Sequence, residues 1–282
     1  MRGGVRIAVA AGAASIGTAL LAVAGARRIL GARGIPVLDA LVAPGRRVLV
    51  VTAHPDDEIV MAGALAATVR RGGRVHLVTL TAGEASQSTE LPQSPSALPH
   101  GERVAAVRRV ELAEACRALG VELREVAGFP DGGLSRCIEP ATAFLAEQID
   151  LLHPDLVVGL DETVGIYGHP DHRAAATAAR RAAQAAGVAL LQATLAPRSA
   201  RLAARLSPVL RRALAETGAS HPAPSLAVRT RGTADAVSRA VTAHRSQRAV
   251  LAGARPGSSW IPGSLYAWIF DRDYFASVDP AE

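Results

Sequence analysis

Apolar residues along the chain gather into short runs separated by longer Ala-rich stretches. Val48-Leu49-Val50-Val51, behind Arg46 and Arg47, is continuously apolar rather than alternating, the pattern of a strand buried on both faces of a parallel sheet. Leu156-Val157-Val158-Gly159-Leu160 repeats it, and a third strand is expected over residues 122–127. Pro55 ends the first strand, with a helix expected over 58–71. An Ala-rich helix is expected over 173–186, and another opens near Arg108 and closes at Leu119-Gly120. Alternation of buried strands and helices predicts an α/β fold with a largely parallel sheet and flanking helices.

Two further segments carry a different pattern. Residues 7–26 form an uncharged run of small apolar residues between Arg6 and Arg27. As a helix it would span about 30 Å, the thickness of a bilayer core. It reads as a membrane anchor, a cleaved signal peptide or a soluble N-terminal helix. Arginines directly after its Ala-x-Ala-like end argue against export, so the expectation is a single uncleaved N-terminal anchor. Arg27, Arg28, Arg33, Arg46 and Arg47 after the run, against Arg2 and Arg6 before it, lean toward a cytoplasmic catalytic domain. Residues 1–45 are thus read as hydrophobic segment and linker, and 46–282 as one catalytic domain. Residues 195–215 place leucines at helical spacing with Arg198, Arg201, Arg205, Arg211 and Arg212 between them. This reads as one basic amphipathic helix, packed on the domain or touching a membrane surface.

Composition narrows the function classes. At 282 residues and 49% apolar, the chain can bury one sizeable core. Cys116 and Cys137 are too few for a disulfide framework. The net charge of +6 comes entirely from arginine with no lysine, and aromatics make up 3%. Basic patches without stacking residues make a poor nucleic-acid platform, and no nucleic-acid partner is expected.

The chemistry sits where the strands end. Ala53-His54-Pro55-Asp56-Asp57-Glu58 follows the first run, and Tyr167-Gly168-His169-Pro170-Asp171-His172 follows the later one. Ligands of open α/β sheets bind outside the carboxyl ends of the strands. Helix capping accounts for one or two of the first three carboxylates, not for all of them beside a histidine. His169 and His172, at i and i+3, can share one face of a helical turn. Two distant strand ends supplying imidazole and carboxylate suit a mononuclear metal. Zinc fits this donor set, with iron or another divalent ion using the same groups. Such a metal lowers the pKa of bound water to roughly 7, and a spare carboxylate can take the proton.

These two hexapeptides resemble the PIG-L/LmbE-like zinc deacetylases, which remove N-acetyl groups from N-acetylglucosamine conjugates. The resemblance implies a Rossmann-like fold and places zinc on His54, Asp57 and His172. It makes Asp56 the general base, puts His169 at the oxyanion or leaving amine, has Asp171 set the charge of His169, and brings Tyr167 to the scissile carbonyl. Arg108-Arg109-Val110-Glu111-Leu112 is similar to the family's RxxEL segment, whose arginine faces substrate. By the same resemblance, Phe129-Pro130-Asp131-Gly132 would place Asp131 against sugar hydroxyls. His244-Arg245-Ser246-Gln247 matches a late HxSQ segment, more often structural than catalytic. The implied partner is an N-acetylated amino sugar, lipid-linked or of a thiol pathway. A metal-dependent phosphoesterase, with Asp161 and Glu162 as spare donors, and a non-catalytic membrane-tethered sugar-binding module are the alternatives. The role of Glu58 stays open between capping and support of the ligands.

Overall fold

The computed structural model describes residues 31–86, 98–206, 208–254 and 271–278. The strands are β1 (Val37–Leu38), β2 (Arg47–Thr52), β3 (Arg74–Thr81), β4 (Glu122–Phe129), β5 (Leu156–Leu160), β6 (Leu190–Thr194), β7 (Leu226–Arg229) and β8 (Arg272–Val278). The helices are α1 (Ala62–Arg70), α2 (His100–Leu119), α3 (Ile138–Leu152), α4 (Gly165–Gly168), α5 (Pro170–Ala185), α6 (Pro197–Leu206), α7 (Pro208–Thr217), α8 (Ala234–Ala243) and α9 (Arg248–Ala254). The strands form one eight-stranded sheet in the order β1-β7-β8-β6-β5-β2-β3-β4. Only β8 runs antiparallel to its neighbours among the described strands.

The continuous apolar run of β2 is explained by its central place, paired in parallel to β3 on one side and β5 on the other. Val48 and Val50 point into one buried cluster with Leu65 of α1, Leu112 of α2 and Ala240 of α8. Leu49 and Val51 point into the other, with Leu145 of α3 and Ala178 of α5. Each fully buried Leu or Val contributes roughly 1.5–3 kcal/mol of transfer free energy, so a three-layer α/β/α stack follows from residues with no polar face. Strand order reverses at β2, with β3 and β4 laid to one side and β5 and β6 to the other. That reversal leaves a crevice outside the carboxyl ends of β2 and β5.

Several expected boundaries move. The helix expected over 58–71 is a 3-10 turn, Asp57–Met61, followed by α1. Helix α2 begins at His100, well before Arg108. The basic segment forms two helices, α6 and α7, because Pro208 has no amide to continue the first. Residues 37–41, read as linker, join the fold: β1 pairs with β7, and the Leu41 amide donates to Thr68 Oγ1. The membrane-anchored localisation is corrected. Among the described residues no helix is long and apolar enough to cross a membrane. The longest, α2, carries Glu102, Arg103, Arg108, Arg109, Glu111, Glu114 and Arg117 along its length. The expected hydrophobic helix over residues 7–26 lies outside the described residues.

Candidate active site

The first hexapeptide turns sharply out of β2 into the crevice. The Asp57 carboxylate closes the turn, its Oδ2 accepting the amides of Ala53 at 3.0 Å and His54 at 2.8 Å. Its Oδ1 lies 3.1 Å from His172 Nε2, and Oδ2 lies 3.7 Å from His54 Nδ1. Burial alone would raise the Asp57 pKa, but His172 and His54 hold it below the usual carboxylate range.

The second hexapeptide is shaped by Asp161, fully buried at the end of β5. Its carboxylate accepts the amides of Val164 and Ile166 at 2.7 Å, that of Gly165 at 3.2 Å, and the Thr163 hydroxyl. This cage holds Ile166 at φ 63, a conformation a β-branched residue adopts only under constraint. His221 Nε2 also bonds the Ile166 carbonyl at 2.9 Å. Gly165, at φ +67, has no room for a side chain, since a Cβ would sit 2.8 Å from that of His172. Its carbonyl lies 2.8 Å from His172 Nδ1. A carbonyl only accepts, so Nδ1 carries the hydrogen and the Nε2 lone pair faces Asp57. Lone pair against carboxylate is repulsive unless a cation or proton lies between them.

His54 presents the same problem. Its Nε2 is 3.0 Å from Asp131 Oδ1 and 3.5 Å from Asp171 Oδ2, yet makes no well-aligned hydrogen bond. Burial would lower the His54 pKa, but Asp131, Asp171 and Asp57 raise it to about 10. For His172 burial is likewise outweighed, and Asp57 holds its pKa above the ordinary value. Ligand atoms of His54, His169 and His172 lie within 4.8 Å of one another, as do those of His54, Asp131 and Asp171. Buried imidazoles set against carboxylates, with the His172 Nε2 lone pair facing Asp57, are the donor set a divalent ion needs, so the residues fit the metal. A metal ion and protons compete for these ring nitrogens. Apparent metal affinity is therefore expected to strengthen with pH between 6 and 8, about tenfold per unit for each proton displaced. Competition against a chromophoric chelator at several pH values checks this, and a flat profile would refute it.

Asp56 stands apart from this cluster. Its Oδ1 is 3.1 Å from Arg108 Nη2, and burial, opposed by Arg108, raises its pKa to about 6. Arg108 is itself buried, donating to the carbonyls of Gly83 and Pro55. Gly83 leaves it room, as a Cβ there would fall 2.2 Å from Nη1. The structure thus turns Arg108 toward Asp56, not toward an open cleft. Asp131 likewise engages His54 and the Ala85 amide. Asp171 accepts the amides of Gly132 and Leu134, which ties the loop after β4 to the site. His169 caps α5, its Nδ1 accepting the Asp171 amide at 3.2 Å. That leaves the hydrogen on Nε2, and burial followed by the charges of His54 and His172 keeps its pKa low. Tyr167, on α4 next to His169, is half buried against the core.

The spare donors are not spare. Asp161 spends its carboxylate on the cage above, and Glu162 pairs with Arg180 and Thr177. Arg108 and Glu111 do not pair with each other, since Glu111 reaches Ser246 instead. Residues the motifs did not assign also matter: Asp161 as organiser of the loop, and Glu58, which contacts His244 at 2.6 Å. A histidine closing an Ala-rich helix was the available signal for the latter.

Residues 49–183 match the PIG-L family model, described as GlcNAc-PI de-N-acetylase. A 1D-myo-inositol 2-acetamido-2-deoxy-alpha-D-glucopyranoside deacetylase of Catenulispora acidiphila is 37% identical over 169 residues, covering 54% of this chain and 52% of its own. A deacetylase of the same description from Salinispora arenicola is 34% identical, covering 53% and 54%. The chain thus spans about half the length of the curated relatives it matches. Among solved structures, the N,N'-diacetylchitobiose deacetylase of Pyrococcus horikoshii aligns with a TM-score of 0.54 at 20% identity, covering 84% of this chain and 85% of that one. A zinc-inhibited teicoplanin deacetylase aligns at 0.56 and 18%, covering 83% and 99%. The 4-carboxy-2-hydroxymuconate hydratase of Pseudomonas putida aligns at 0.57 and 19%, covering 83% and 97%. At these identities the likeness is one of fold.

Proposed function

We propose, for a chain whose residues 49–183 match the PIG-L family model, that it hydrolyses the N-acetyl amide of a glucosamine-type glycoconjugate. The observation that carries this reading is the arrangement at the β2/β5 crevice. Asp57 lies there between two imidazoles, 3.1 Å from His172 Nε2 and 3.7 Å from His54 Nδ1, while Asp56 is held beside them by Arg108. His54, Asp57 and His172 would hold the metal, for which we propose zinc. When bound, it supplies Lewis acidity toward the amide carbonyl and toward water.

Asp56, with its pKa pushed up to about 6, is mostly ionised at neutral pH yet basic enough to take a proton from the attacking water. Arg108 fixes which way that carboxylate points. His169, neutral and with its hydrogen on Nε2, donates to the oxygen that gains negative charge as the carbonyl is attacked. Asp131 and Asp171 orient His54 from behind, as carboxylates commonly do for metal-ligating imidazoles. The phosphoesterase alternative commonly needs a second metal, and the spare donors expected for it, Asp161 and Glu162, are committed to backbone amides and to Arg180.

The relatives' names point to an inositol-linked sugar as the first substrate to offer. Zinc-loaded protein is expected to release free amine from 1D-myo-inositol 2-acetamido-2-deoxy-α-D-glucopyranoside. N,N'-diacetylchitobiose and an N-acetylglucosaminyl phosphatidylinositol serve as competing acceptors of the test, with p-nitrophenyl phosphate as the phosphoester arm. Phosphate release without amine release would overturn the reading.

A further inference from the structure

The mechanism above leaves one buried ionic pair unused, and it lies directly behind the proposed base. Glu58 and His244 are 0% and 1% exposed, with Glu58 Oε1 2.6 Å from His244 Nε2. The other oxygen, Oε2, accepts the Asp56 amide at 3.0 Å. Asp56 has φ 121 and ψ −14, a region that a non-glycine residue keeps only where its surroundings over-determine it.

We propose that Glu58 and His244 are positioning residues that hold Asp56 in this conformation, so that its carboxylate faces the crevice. The inference rests on the reading of Asp56 as base. Three observations carry it. A neutral acceptor would satisfy the Asp56 amide with less desolvation than a carboxylate in the core. Glu58 instead bridges two partners, one oxygen on His244 Nε2 and the other on the Asp56 amide. His244 keeps Nδ1 buried and without a hydrogen-bond partner, a destabilising feature in a ring whose other nitrogen holds Glu58. Finally, the pair belongs to a closed ring of contacts. The turn after His244 is pinned by Glu111, which accepts the Ser246 amide at 2.9 Å and its hydroxyl at 2.7 Å. Three residues before Glu111 on α2, Arg108 holds the Asp56 carboxylate. Amide and side chain of Asp56 are thus fixed from the same scaffold, and relaxation of either would swing the carboxylate off its line.

The test is the double variant Glu58→Leu/His244→Phe, because replacing a buried ion pair by apolar residues commonly leaves the fold intact. It is expected to stay folded and to bind zinc. Its kcat for the inositol-linked substrate should fall about 10- to 100-fold, with KM little changed, as for loss of an orienting contact. In metal-free protein its Asp56 amide should exchange at least about tenfold faster. His244→Gln, whose amide nitrogen can replace Nε2, should restore both. A folded double variant with native kcat and native exchange would overturn the proposal. Asp56→Asn separates the two layers. If that variant keeps full turnover, the base reading falls and this inference with it. If it is inactive while the double variant is fully active, only the positioning role falls. Should the double variant not fold, the native chain decides, since an Asp56 amide exchanging as fast as an unprotected one is incompatible with the bond to Glu58.

Discussion

Asp56→Asn is expected to lower kcat by about 10²- to 10⁴-fold, the range contributed by a general base, while metal content stays at that of the native protein. Asparagine keeps the volume, and its Oδ1 can still accept from Arg108 Nη2, now 3.1 Å from the carboxylate. What it lacks is basicity. Freed of metal, the same variant should gain stability at neutral pH, and the sign follows from burial. A carboxyl raised from 3.8 to about 6 binds a proton more readily in the folded chain than in the unfolded one. Its ionisation above pH 6 therefore disfavours the fold, and below about pH 4, where both states are protonated, the difference vanishes. Activity lost together with stability gained at pH 7 is the outcome that marks a strained functional carboxylate. Unchanged turnover would remove Asp56 as base, and a variant that loses its metal would make Asp56 a ligand instead.

His172→Ala carries the second large effect, a loss of metal affinity of more than about 100-fold, since disturbing even an outer contact costs 10- to 100-fold. The hydrogen of His172 is assigned to Nδ1 by the Gly165 carbonyl at 2.8 Å, so its Nε2 is committed as a lone-pair donor. Removing it also strips Asp57 of the larger of the two imidazole interactions that hold its pKa down. Metal per chain after gel filtration, measured by atomic emission, reads the effect. His169→Ala provides the contrast. Its ligand atom lies within 4.8 Å of those of His54 and His172, so it competes geometrically with Asp57 for the third place. With Nδ1 engaged at the cap of α5, it is expected to keep the metal and lose rate. The reverse pattern, metal kept without His172 and lost without His169, would assign the ligands differently.

Much of this was legible in the chain. Continuous apolar runs announced the two central strands because strands buried on both faces admit no polar residue. The clusters after them were legible because the end of such a strand is where polar residues return. What each polar side chain does was less so. The RxxEL segment reads as one unit, yet Arg108 turns to Asp56 and Glu111 to Ser246, partners 52 and 135 residues away. Asp161 and Glu162 look like ligands beside a histidine motif, but one cages backbone amides and the other meets Arg180. Glu58, open in the sequence between capping and support of the ligands, contacts His244, 186 residues on.

Sequence by itself determined the α/β class, the two strand ends and the chemical inventory brought to them, since all three follow from local polarity and spacing. Tertiary structure alone decided the division of labour: which carboxylate opposes His172, which stands with Arg108, and which lies in the core beneath. The reason is that a carboxylate's role is set by the charges and lone pairs within a few ångströms of it. At the switch point of a doubly wound sheet, those neighbours arrive from β2, the loops after β4 and β5, α2, and the turn after α8, which no local pattern brings together.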